Sequence, residues 1–134
     1  DLHSFPTRRS SDLLVTFPGL NDFIDANRRS RRDWNAGNAM KQRDQRELVY
    51  SIRSQLRHSL NPPITIDYKY YCKDRRRDLD NISGYFHKVF QDALVASGRL
   101  ENDSWKYITG FSDSFELDRK NPRIEITIHE KGDA

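Results

Sequence analysis

Apolar positions recur along this chain with two periods, and the switches between them mark out the elements. Leu14, Val15, Thr16 and Phe17 make a short β-prone run that Pro18-Gly19 stops, and the polar stretch over residues 21–38 reads as a loop. Leu48, Val49, Ile52, Leu56 and Leu60 then recur at helical spacing with charged residues between them, which predicts a helix running until Pro62-Pro63. Ile64, Ile66, Tyr68, Tyr70 and Cys72 alternate with Thr65, Asp67, Lys69 and Tyr71, the period of a strand with one buried face. A second helical stripe of Ile82, Tyr85, Phe86, Val89, Ala93 and Leu94 spans residues 81–97, and Gly98 stands where a helix-closing glycine belongs. Residues 105–117 read as a long or bulged strand, residues 119–122 as a turn, and Ile124, Ile126 and Ile128 as the inward face of a last strand. The predicted order is β-α-β-α-β-β, an α+β domain with no internal repeat or low-complexity segment.

Residues 1–13, DLHSFPTRRSSDL, depart from this pattern. They lack an initiator methionine and usable periodicity, and the Ser/Arg-rich string resembles translated sequencing-adapter read-through. The expectation is a non-native or disordered tail over 1–13 and one domain over 14–134, since 134 residues suit a single core.

Composition narrows the chemistry. Charged residues make up 32% of the chain with a net charge of +3, an excess that permits nucleic-acid binding without requiring it. Its distribution says more: Arg28, Arg29, Arg31 and Arg32 form one basic cluster, and Lys73 with Arg75, Arg76 and Arg77 another, both beside expected loops. Cys72 is the only cysteine, so no internal disulfide forms, and its place on the apolar face reads as a small core residue. His3, His58, His87 and His129 show no zinc-ligand spacing. Without a signal peptide or long apolar run, the expectation is a soluble cytoplasmic protein that does not enter membranes.

Asp78 and Asp80 are the candidate chemistry. If extended, residues two apart point to one side with Cα atoms about 6.6 Å apart, close enough to share a hard cation such as Mg²⁺, which takes carboxylate, water and phosphate oxygens. The neighbouring guanidiniums match phosphate in a bidentate fork. The same residues also read as a helix N-cap with solvated arginines, and the local pattern leaves both readings open.

Three segments in order carry a resemblance. Arg75-Arg76-Arg77-Asp78-Leu79-Asp80-Asn81, the helix ending in Gln91-Asp92-Ala93-Leu94, and Gly98-Arg99-Leu100-Glu101-Asn102-Asp103 resemble the RusA family of Holliday-junction resolvases, common in phages and prophages. Pro18-Gly19-Leu20-Asn21-Asp22 also looks like the opening of phage-type members. The resemblance implies a mixed sheet packed with two helices and a crossover junction endodeoxyribonuclease acting in DNA recombination and repair. It further implies a homodimer on branched DNA, with Mg²⁺, or Mn²⁺ in its place, as cofactor. By the family's motif, Asp78, Asp80 and Asp103 bind the metal and a lysine on the intervening helix completes the site. Counting back from Asp92 makes that lysine Lys88; counting forward from Asp80 gives Gly84, so the helix reads as one turn longer than in compact members. Arg75, Arg76, Arg77 and Lys73, with Arg28, Arg29, Arg31 and Arg32, are expected to contact the DNA backbone. The alternatives are a non-catalytic module that binds branched DNA and a nuclease preferring flaps or forks.

Overall fold

A computed structural model describes residues 12–18, 34–76 and 78–130, with side chains described from residue 42 onward in the second segment. Six elements follow the expected order: β1 (Leu13–Pro18), α1 (Trp34–Gln55), β2 (Ile64–Cys72), α2 (Leu79–Ala96), β3 (Ile108–Leu117) and β4 (Arg123–Glu130). The strands form one mixed sheet in the order β1-β4-β2-β3, and the molecule is a single α+β domain. β4 runs antiparallel to β1 and to β2, whereas β3 is parallel to β2, so α2 is the crossover that returns the chain to the start of the sheet.

Strand alternation builds the core. Ile64, Ile66, Tyr68, Tyr70 and Cys72 of β2 and Ile124, Ile126 and Ile128 of β4 are buried on one face, against Leu48 and Ile52 of α1 and Ile82, Phe86, Val89 and Phe90 of α2. Rings lock this layer: Phe17 meets Phe86 and Phe90 edge-on at 5.9 and 5.8 Å between centroids, and Tyr68 meets the same two at 6.0 and 5.8 Å. Between the helices, the Tyr85 hydroxyl donates to Asp44 Oδ2 at 2.8 Å. Burial raises the Asp44 carboxyl above its ordinary pKa, with the Tyr85 bond and Arg43 pulling the other way.

The element boundaries differ from the sequence expectations in five places, the first being α2, which begins at Leu79 rather than at residue 81. β1 starts at Leu13, and Asp12 is buried, so folded structure reaches back before residue 14. Residues 34–38, expected in a loop, already belong to α1; once a helix is nucleated each added residue brings a hydrogen bond, which outweighs polar composition. The remainder of that loop falls outside the described residues. At its other end α1 stops at Gln55, short of Pro62. Leu56 and Leu60 are buried as their spacing implied, but the Leu56 carbonyl accepts Arg99 Nε at 2.6 Å and the Leu60 N–H donates to the Arg99 carbonyl at 2.7 Å, so the bond between them that a continuing helix needs is never made. β3 begins at Ile108 because the N–H groups of Tyr107 and Ile108 both turn back to the Ser104 carbonyl. The expected bulge is present: Ile64 faces Ile108, whereas Thr65 faces Gly110.

Among the described residues no helix is long and apolar enough to cross a membrane.

Candidate metal and nucleic-acid site

β2 carries the chain out of the sheet at Cys72, and α2 starts seven residues later at Leu79. In between, Asp74 Oδ1 accepts the Arg76 N–H at 3.0 Å and tightens the turn. Asp78 is the N-cap of α2, with φ −77° and ψ 113°; its Oδ1 accepts the N–H groups of Asp80 at 3.1 Å and Asn81 at 3.4 Å. Asp80 lies within the first helical turn and is exposed. The two aspartates therefore do not share one side of an extended segment. The helix claims Asp80 because Asp78 satisfies the N-terminal N–H groups that would otherwise be orphaned.

The capping geometry does not use up the carboxylates. Both cap bonds go to Oδ1 of Asp78, which leaves Oδ2 and the whole Asp80 carboxylate facing solvent at the positive end of an 18-residue helix. Lys73, Arg75 and Arg76 are exposed beside them, while Arg77, Arg28, Arg29, Arg31 and Arg32 lie outside the described residues. Next to this end, Cys72, Asp74, Arg75, Leu79, Phe115 and Leu117 line an open groove of about 480 Å³.

Asp103 sits elsewhere. It is an exposed residue of the connection between α2 and β3, in a turn where Asn102 Oδ1 accepts the Ser104 N–H at 2.8 Å. That connection lies at the end of the sheet where β2 begins, since Ile64 donates its N–H to the Tyr107 carbonyl. Eighteen residues of helix, about 27 Å, separate it from the Asp78 end. One chain therefore brings Asp78 and Asp80 together and leaves Asp103 at the opposite pole. Among the described residues no three His, Cys, Asp or Glu side chains gather as a metal-binding group. Lys88 projects from the middle of α2, 64% exposed, with Nζ 3.6 Å from Asp92 Oδ1 one turn on. Eight residues, about 12 Å of helix axis, separate it from Asp80.

Two polar networks went unnoticed in the sequence. In the first, Asp113 Oδ1 takes the Tyr70 hydroxyl at 2.9 Å and lies 2.7 Å from His87 Nε2, tying β2, α2 and β3 together. Burial, then the Asp113 charge, pushes the Tyr70 phenol up, so it remains a donor. The His87 ring lies against Tyr68 and Phe111, at 4.4 and 4.5 Å between centroids. In the second network, on the opposite face of the sheet, His129 stands between Asp12, 2.9 Å from Nδ1, and Asp67, 2.7 Å from Nε2. Ser112 donates to the other Asp67 oxygen at 2.6 Å. No local pattern announces this one, because its members come from four separate segments.

No protein-family model matches the chain, and no curated protein matches it. The fold and geometry thus define a single α+β domain that presents an acidic helix N-terminus next to a basic loop.

Proposed function

We propose that this chain is a Mg²⁺-dependent endodeoxyribonuclease of the RusA kind that nicks four-way branched DNA and works as a homodimer. The observation that carries the reading is the pole where β2 hands over to α2: two solvent-facing carboxylates, Asp78 and Asp80, flanked by Lys73, Arg75 and Arg76. The donor chemistry fits a hard cation, since all the available atoms are carboxylate oxygens beside a phosphate-binding set of cations. Asp78 and Asp80 of one copy and Asp103 of another would hold it. When bound, Mg²⁺ supplies Lewis-acid polarisation of the phosphate and lowers the pKa of an attacking water. Arg75 and Arg76 hold the strand by its phosphates, which gives affinity without reading sequence. Lys88 adds an exposed cation to the same helix, a source of charge stabilisation for a phosphate rather than a base.

The two-pole placement of the aspartates favours the dimer on physical grounds. A two-fold axis across α2 and β3 sets the Asp103 pole of one copy against the Asp78 pole of the other and forms two sites at once. Two sites suit a junction in which two strands must be cut.

The test is cleavage of a synthetic four-way junction and a linear duplex, each with Mg²⁺ and with chelator. Nicking of the junction alone, and only with Mg²⁺, is expected; no metal-dependent product sinks the reading. Asp80→Asn and Asp103→Asn should each abolish nicking and spare binding. Mixing the two inactive variants should restore activity, because a mixed dimer contains one intact site. The separation of Asp103 from the acidic pair also favours a rival, a non-catalytic module that binds branched DNA, and that rival expects binding with no product under Mg²⁺ or Mn²⁺. Flap and fork substrates run in parallel identify the preferred branch.

A further inference from the structure

Six large apolar side chains are exposed among the described residues, and four of them, Leu79, Trp105, Phe111 and Leu117, lie along the β3 side of the molecule. β3 is an edge strand. Phe111, Phe115 and Leu117 face the same side as Ile66, Tyr70 and Cys72, their partners on β2, so they belong to the helix-covered face. Phe111 is nonetheless 55% exposed and Leu117 is also exposed, so α2, which reaches β3 through His87, covers this edge only in part. At one end of the patch is a projection: the Trp105 side chain is 83% exposed on a turn fixed by the Ser104 N–H to Asn102 and by two N–H groups to the Ser104 carbonyl. At the other end is the open groove of about 480 Å³ floored by Cys72, Leu79, Phe115 and Leu117. Ten residues of β3, about 33 Å, lie between them.

We propose that a second copy of this chain docks antiparallel along the β3 edge, and that Trp105 of each copy fills the groove between Leu79, Phe115 and Leu117 of the other. Projection and groove sit at opposite ends of one edge, with Phe111 between them, so a two-fold axis near the middle of β3 matches both ends twice. This self-complementarity is what an isologous interface requires. Charge is compatible: Lys106 flanks Trp105, and the groove lining carries Asp74 and Glu116 together with Arg75, with Glu116 paired to Lys69 at 3.5 Å. Exposed Phe111 and Leu117 and an 83% exposed Trp105 are also costly to leave in water. The interface stands without the nuclease reading; its consequence, that Asp103 is delivered to Asp78 and Asp80, rests on that reading.

Sedimentation of the full chain over a wide concentration range tests the proposal. A dimer is expected, with Trp105→Ala and Leu117→Asp each weakening its dissociation constant by about 30-fold, the scale of a central aromatic anchor. Circular dichroism of the dissociated variants should match the wild type, because both side chains are exposed, and their melting should lose the concentration dependence that dimerisation gives the wild type. Indole emission should shift to shorter wavelength as the dimer forms without DNA, and Trp105→Ala should remove that shift. A monomer at every concentration, or a dimer indifferent to both substitutions, overturns the interface. So does an emission shift that appears only when DNA is added, which would make Trp105 a stacking surface for bases. A Trp105-dependent dimer that nicks no junction upholds the interface and removes the nuclease reading; a nicking dimer indifferent to Trp105→Ala and Leu117→Asp does the reverse.

Discussion

At Asp78, Oδ1 accepts two backbone N–H groups at the start of α2, and truncating the side chain leaves both to find water. Asp78→Ala should therefore lower stability by about 1 kcal/mol in urea denaturation, the usual cost of a lost N-cap. Asp78→Asn keeps an accepting oxygen and should stay within about 0.5 kcal/mol of the parent. Under the proposed function it should still abolish junction nicking, because a ligand charge is gone; a fully active Asn variant would make Asp78 a cap and nothing more. The sequence offered cap and metal ligand as alternatives. The structure makes them compatible, since capping occupies one oxygen and leaves the other exposed.

At the scale of elements, α2 shows what periodicity conveys and what it omits. Its buried residues Ile82, Phe86, Val89, Ala93 and Leu94 belong to the predicted stripe, whereas buried Phe90 was not in it and Tyr85, which was, is only partly buried; Gly98 closes the helix with φ +78°. A Cβ at Gly98 would meet nothing within 4 Å, so Gly98→Ala tests backbone strain alone. A loss of about 1 kcal/mol is expected in thermal denaturation, and an unchanged melt would mean that the turn relaxes freely. The end of α1 was less legible. Leu56 and Leu60 are spaced as on a helix and both are buried, but Arg99, remote in sequence, takes the Leu56 carbonyl that a further helical turn would need. Spacing reports which side chains are buried; the backbone that buries them depends on the partners available.

Across the whole molecule, His129 connects the start of β1 through Asp12 to β2 through Asp67, with Ser112 of β3 on the same carboxylate. Burial lowers the His129 pKa, but the hydrogen bonds it donates to Asp67 and Asp12 and their charges outweigh it and hold the group above the ordinary value of 6.5. The native state thus binds this proton more tightly than the unfolded chain. The resulting stabilisation is complete below about pH 6.5 and is lost as pH rises through the elevated native value. Urea denaturation should show stability declining on the alkaline side of 6.5, and His129→Gln should flatten that decline; an unaltered profile would assign it to other groups. The order and type of the elements, the buried stripes and the acidic pair at the head of α2 are legible in the chain alone, because each is written in neighbours a few residues apart. The fold was needed to learn that Asp103 lies a helix length from that pair, that Trp105 and the groove face outward at opposite ends of β3, and that His129 sits between two carboxylates. Those are distances between segments, fixed by the parallel return of the chain through α2, and no local spacing contains them.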